Sequence, residues 1–330
     1  MAQFPIDKKL VVAISSSAVF DMKDAGAVYK ECGEEAYRNF QRENLHNPFG
    51  KGVAFPFIRR LLHLNNLYPN EQPVEVIVLS RNDPDSGQRF FESCKHYALN
   101  ITRGSFLCGK DPYPYIHAFN ASLFLSANEP DVRGALQAGM PAGLVLPTQA
   151  SDEPTSDELR IAFDFDGVLA GDESERVYKR DGLATFRSSE QEKSDEPLQA
   201  GPLHSLAQKL SYWQKFESKR LKADPNYKPH LRIAIVTARS APAHTRFIKT
   251  LTAWGLAPTE TFLMGGIDKS RVLRVFKPHL FLDDQLSHLE GISDEIPCVH
   301  IPFGVANDKQ QSDERDNNED LQGAQRRTLM

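Results

Sequence analysis

Residues 159–169 read LRIAFDFDGVL. The stretch begins as an apolar run of strand length and leaves the strand through Asp164-Phe165-Asp166-Gly167. Two carboxylates at i and i+2 just beyond a buried strand are costly unless a cation neutralises them or solvent reaches them. A metal ion is their natural partner. Taken singly, either aspartate reads as a solvated turn, so the surroundings decide what the pair means.

Working outward, runs of the same kind recur in two sets. The first is LVVAI (10–14), VEVIVL (74–79), ASLFLS (121–126) and GLVLP (143–147); the second is LRIAFD (159–164), LRIAIVT (231–237), HLFLDD (279–284) and PCVHIP (297–302). Runs apolar on both faces, alternating with helix-length connections such as SGQRFFESCKHYAL and APAHTRFIKTLTAWGL, imply parallel strands of an α/β sheet covered on both sides. The polar stretch PTQASDEPTSDE (147–158) reads as a linker. The expected organisation is therefore a half at 1–150, a half at 151–305 and a tail at 306–330 with almost no apolar content, expected to be disordered.

The two halves also match each other. At an offset of 149 residues, AISSSAVF (13–20) lies over AFDFDGVL (162–169), AVYKECGEEAYR (27–38) over RVYKRDGLATFR (176–187), and GVAFPFIRRL (52–61) over GPLHSLAQKL (201–210). With a few residues of gap, IVLSRN (77–82) meets IVTARS (235–240), and LFLS (123–126) meets LFLD (280–283). Shared apolar strands are expected of any two α/β units; a shared VYK followed three residues on by glycine is not. An internal duplication is the expectation.

Composition narrows the function classes. The chain has 330 residues, 40% hydrophobic and 25% charged, with a net charge of -5. That balance is the composition of an ordinary globular protein and gives no sign of a nucleic-acid surface. Cys32, Cys94, Cys108 and Cys298 lie far apart without zinc or disulfide spacing, which suits reduced thiols. With no basic, apolar leader and no run near the roughly 18 apolar residues of a membrane span, a cytoplasmic, unanchored protein is expected.

Four strand-end features carry the chemistry. Asp164 and Asp166 follow one strand; Asp283 and Asp284 end another; Thr237 ends LRIAIVT and offers a hydroxyl, with the backbone N–H groups of Ala238 and Arg239 behind it; Lys269 lies in GGIDKSR. Parallel sheets gather functional groups at the carboxyl ends of their strands, so these clusters meet if their strands are neighbours. Oxygen ligands without nearby histidine or cysteine suit a hard ion such as Mg²⁺.

This series resembles the haloacid dehalogenase-like (HAD-like) phosphohydrolases. The resemblance implies an α/β fold of two duplicated Rossmann-like (HAD-like) parallel-sheet halves, the C-terminal one catalytic, with a small helical cap insertion at about 171–230. It implies Asp164 as nucleophile, Asp166 as general acid and base, and Thr237 and Lys269 as holders of the phosphoryl oxygens. Mg²⁺ would be bound by Asp164, Asp166 through its backbone carbonyl, Asp283 and, in an auxiliary place, Asp284. Substrate contacts are expected at Gly167, Ala238, Arg239 and Tyr178.

A closer resemblance rests on AFDFDGVLAGDESERVYKRDGL, PLQAGPL, VTARSAPAHTR, KTLTAWGL and PHLFLDDQ, and on AISSSAVFDM, NPFGKGVAFPFIRRLL and NASLFLSANEPDVRGALQAGMPAG in the first half. Together they are similar to the cytosolic 5′-nucleotidase type I family across residues 9–304. Where that pattern expects DGDAV, this chain has DFDGV. The resemblance implies Mg²⁺-dependent hydrolysis of nucleoside 5′-monophosphates through an aspartyl-phosphate, with base stacking expected from Tyr178, Phe186 or Tyr212 in the cap. The alternatives are a phosphatase for another small monoester and a nucleotide-binding regulatory protein with little turnover.

The first half has Ser15, Ser17 and Ser126-Ala127 where the second has Asp164, Asp166 and Asp283-Asp284, and Leu79 where it has Thr237. Serine cannot replace these carboxylates as anionic ligands. A structural half is expected, with a nucleotide effector as the sharper alternative, and assembly into a homo-oligomer.

Overall fold

A computed structural model describes residues 5–153 and 155–307. Twelve strands follow in order: β1 Leu10–Ile14, β2 Phe20–Asp21, β3 Gly50–Lys51, β4 Val74–Ser80, β5 Arg103–Phe106, β6 Leu123–Ser126, β7 Ala142–Val145, β8 Leu159–Phe163, β9 Leu231–Thr237, β10 Glu260–Leu263, β11 Leu280–Asp283 and β12 Cys298–His300. All but β2 and β3 join one ten-stranded sheet in the order β10-β9-β8-β11-β12-β7-β6-β1-β4-β5. The apolar runs form strands because helical crossovers cover both faces; β1, β4 and β6 are buried along their whole length.

The sheet's ten strands make nine pairings, and eight of them are parallel. The exception lies at the centre: β12 and β7 run antiparallel, Val299 opposite Val145 and His300 opposite Leu144. Gly143 lies at this seam, where a Cβ would come within 2.3 Å of Val299 Cγ1. Outward from the seam, β7-β6-β1-β4-β5 and β12-β11-β8-β9-β10 place their strands in the same order. The expected halves thus lie in one continuous sheet.

Each half carries a long helix broken by glycine: Lys23–Glu43 at Gly33 (φ 84°, ψ -175°) and Glu173–Glu192 at Gly182 (φ 79°, ψ 177°). That backbone region is open essentially to glycine alone. The next helices, Phe55–Leu67 and His204–Ala223, behave differently from expectation. Residues 206–221 were expected in the cap, yet His204–Ala223 packs on β9 and on β1 of the other half, as Phe55–Leu67 packs on β4 and β8. Its Leu206, Ala207 and Leu210 enter the main core, which contains residues of both halves. Tyr68 seals the junction: its hydroxyl donates to Glu217 at 2.8 Å and its ring stacks on Trp213 at 5.5 Å.

The four cysteines are unpaired thiols. Among the described residues no helix is long and apolar enough to cross a membrane. The tail expected to be disordered lies, from residue 308 on, outside the described residues.

Candidate active site

The sheet order makes β8 the neighbour of both β9 and β11. Asp164 N donates to Leu282 O at 2.8 Å, and Ile301 N donates to Asp283 O at 2.9 Å, so the two acidic strand ends stand side by side. Lys269 Nζ reaches both, 2.7 Å from Asp164 Oδ2 and 2.7 Å from Asp283 Oδ2. Asp283 also accepts from Gln285 N at 2.9 Å, and His288 Nδ1 lies 3.1 Å from each of its oxygens.

Burial makes these charges interact strongly, since low-dielectric surroundings penalise an isolated charge and magnify a paired one. Burial pushes Asp164 up to about 7, aided by Asp283 and Asp166 and opposed by Lys269. For Asp283 burial acts in the same direction, but Lys269 and His288 override it and draw the group down to about 2. Lys269, which burial alone would lower, is raised by its two aspartates. Asp284 is raised well above the carboxylate range by burial, then by Asp164 and Asp283.

Both oxygens of Asp284 are buried without a hydrogen-bond partner. Gly167, with φ 75°, leaves the room they occupy: a Cβ there would lie 2.3 Å from Asp284 Oδ2. Three buried carboxylates against one lysine leave negative charge uncompensated. An oxygen-rich set with an orphaned carboxylate fits a hard divalent cation. One ligand atom each from Asp164, Asp283 and His288 lies within 4.8 Å of the others.

Of the four aspartates expected around a metal, Asp166 turns its carboxylate elsewhere. Arg239 Nε donates to Asp166 Oδ2 and Arg239 Nη2 to Asp166 Oδ1, both at 2.7 Å. Only its backbone carbonyl remains for the metal. The same guanidinium bonds Glu190 and donates to Ser174 Oγ at 2.9 Å. Glu190 in turn accepts from Ser174 at 2.7 Å and from Arg246 at 2.9 Å. Burial would raise Glu190, but Arg239 first, then Ser174 and Arg246, hold it below its ordinary range. Phe165 forms the floor: its ring meets Phe247 edge-on at 4.6 Å and lies 5.5 Å from the Arg239 guanidinium carbon.

Thr237 is buried, its hydroxyl accepting from Arg239 N at 3.2 Å, and Ala238 is exposed just past β9. Tyr178 is half exposed and is reached indirectly. Its ring meets Phe186 at 6.3 Å, and Phe186 lies 5.7 Å from the Arg239 guanidinium carbon. Tyr212 instead lies on the core helix against Trp213. Glu175 was not foreseen; burial raises it, opposed by Lys179. Nor were Glu190, Ser174, Arg246 or His288.

The family model described as 5′-nucleotidase matches residues 2–308. Human cytosolic 5′-nucleotidase 1B is 34% identical over 291 residues, 86% of this chain and 47% of that protein. The chain therefore spans about half the length of that relative. No solved structure matches. With its acidic strand ends inside the matched span, the chain belongs to the 5′-nucleotidase family.

Proposed function

We propose that the chain is a Mg²⁺-dependent phosphoric monoester hydrolase that cleaves nucleoside 5′-monophosphates to nucleoside and phosphate. The observation that carries this reading is the junction of Asp164, Lys269, Asp283 and the orphaned Asp284 at adjoining strand ends. Asp164, Asp283 and Asp284, with the Asp166 carbonyl, would hold Mg²⁺, which when bound neutralises charge on the phosphoryl oxygens.

Asp164 Oδ attacks phosphorus, the bond from phosphorus to the ester oxygen breaks, and an aspartyl-phosphate forms. Lys269 favours the anionic form of Asp164 against burial and offsets its repulsion from the incoming dianion. Asp166 protonates the departing oxygen, then takes a proton from the water that releases phosphate. Because each Asp166 oxygen accepts one N–H from Arg239, the proton is carried on a remaining lone pair of one of them. Arg239 thus positions Asp166, and Glu190 with Ser174 positions Arg239.

Membership of the 5′-nucleotidase family supports a nucleotide substrate, and the half-exposed Tyr178 against Phe186 offers a flat base an aromatic face. The name of the human relative supports a cytosolic location. The common strand order and the Gly33 and Gly182 breaks support descent of both halves from one duplicated unit.

Phosphate release from a panel of nucleoside monophosphates, with Mg²⁺ and with EDTA, tests the function. Expected are Mg²⁺-dependent turnover and, in Asp164→Asn, a loss of about 10⁴-fold or more, the scale for removing a nucleophile. Unchanged turnover in that variant, or release of sugar phosphates alone, overturns it.

A further inference from the structure

The first half holds a cleft of about 1130 Å³, above the usual range for small-molecule sites. Its floor is made by the serines that stand where the catalytic half has aspartates. Ser15 Oγ and Ser17 Oγ are 3.2 Å apart, and Ser16, 1% exposed, has a buried hydroxyl without a partner. Ser126 also lines the cleft. We propose that this cleft binds a nucleoside phosphate without metal and without turnover, a reading that rests on the nucleotide specificity argued above.

Hydroxyls donate to phosphate oxygens, whereas the carboxylates of the catalytic half need a cation before they can accept a dianion. The acidic residues of the cleft already have cationic partners. Asp83 accepts from Arg38 at 2.7 Å, Asp131 from Arg81 at 2.8 Å and Asp152 from Arg60 at 2.6 Å. Glu34 pairs with Arg38, and Asp21 with Lys23. Lys30, on the cleft wall, forms no ion pair among the described residues and is available to an anion.

An aromatic pair supplies the other end of the ligand. Tyr29 and Tyr37 line the cleft and meet edge-to-face at 5.7 Å and 86°. Tyr178 and Phe186, at the same offset of 149 residues, meet at 6.3 Å and 82°. The first half has thus kept the aromatic pair while replacing the carboxylates. A flat base on Tyr29, with its phosphate over Ser15–Ser17, fits what was kept. With no nucleophilic carboxylate at the floor, the ester bond stays intact.

Equilibrium dialysis of full-length Asp164→Asn protein in EDTA, with AMP, adenosine and inorganic phosphate as probes, tests the site. Saturable AMP binding is expected, weakened roughly tenfold by Tyr29→Ala through lost stacking. Lys30→Ala weakens AMP and phosphate but not adenosine, and Ser17→Asp abolishes phosphate-dependent binding. On an otherwise wild-type chain, Tyr29→Ala leaves Mg²⁺-dependent hydrolysis unchanged. Absence of binding in EDTA, or binding that neither Tyr29→Ala nor Lys30→Ala alters, overturns the proposal. Tyr29-dependent binding in a chain that hydrolyses no nucleotide leaves this site standing and removes the proposed reaction. Hydrolysis without Tyr29-dependent binding does the reverse.

Discussion

The end of β8 and the end of β1 hold matching places in the sheet and opposite chemistry. Asp164 and Asp283 share Lys269 in a buried triad, whereas Ser15 and Ser126 are neutral and need no counter-charge. The same contrast recurs one layer out. Glu190 is a buried anion between Arg239 and Arg246; at the offset of 149 residues stands Gln41, also fully buried, accepting from Arg89 at 3.0 Å. Asp164, Asp283 and Glu190 each have a lysine or arginine beside them, and Gln41 has its arginine without the charge. Charge, rather than shape, separates the halves.

The contrast can be broken directly. Ser126→Asp buries a carboxylate at a strand end where no lysine answers Lys269, and the expected destabilisation is about 3–5 kcal/mol. Chemical denaturation should show a lower midpoint at unchanged slope. An equally stable variant would mean that the first half still tolerates the acidic arrangement.

Next in size is Glu190→Gln, which gives the second half the first half's chemistry and removes the buried anion between Arg239 and Arg246, leaving them Asp166 and Glu173. A loss of about 3 kcal/mol is expected, with reduced turnover because Asp166 loses its positioned partner. Glu190 is held below its ordinary range, so its contribution is present above the unfolded-state value and is lost as pH falls through the folded value. Stability of the wild type should therefore decline on acidification more steeply than that of Glu190→Gln. Parallel pH profiles would assign the effect to packing alone.

The smallest effect sharpens the likeness instead. Gly33→Ala and Gly182→Ala each force a side chain into a backbone region suited to glycine, costing about 1–3 kcal/mol. Nothing crowds either position, so the two costs should agree. A large difference in melting temperature between them would show that the breaks are not equivalent.

Much of the candidate site was legible in the sequence because its residues announce themselves locally. Asp164-Phe165-Asp166-Gly167, Thr237 and Asp283-Asp284 each sit at the end of an apolar run. Their neighbours were less visible: Glu190 lies within a charged helix and meets Arg239 only because the helix folds back across 49 residues. His288 reaches Asp283 from a short helix with no periodic signal. The helix His204–Ala223 looked like a cap because its apolar positions are interspersed with lysines, and tertiary packing against β1 decided its place. The central pairing of β7 with β12 was beyond reach, since strand composition says nothing of which edges meet.

That pairing has a geometric consequence. Strands on either side of an antiparallel seam point in opposite directions, so the carboxyl ends of the two half-sheets open on opposite edges of the slab. A molecule at Ser15–Ser17 and a molecule at Asp164 therefore occupy separate mouths and never compete for space. Any influence of one on the other has to pass through what the halves share: the β7–β12 seam, the helices that pack across it and the Tyr68–Glu217 contact.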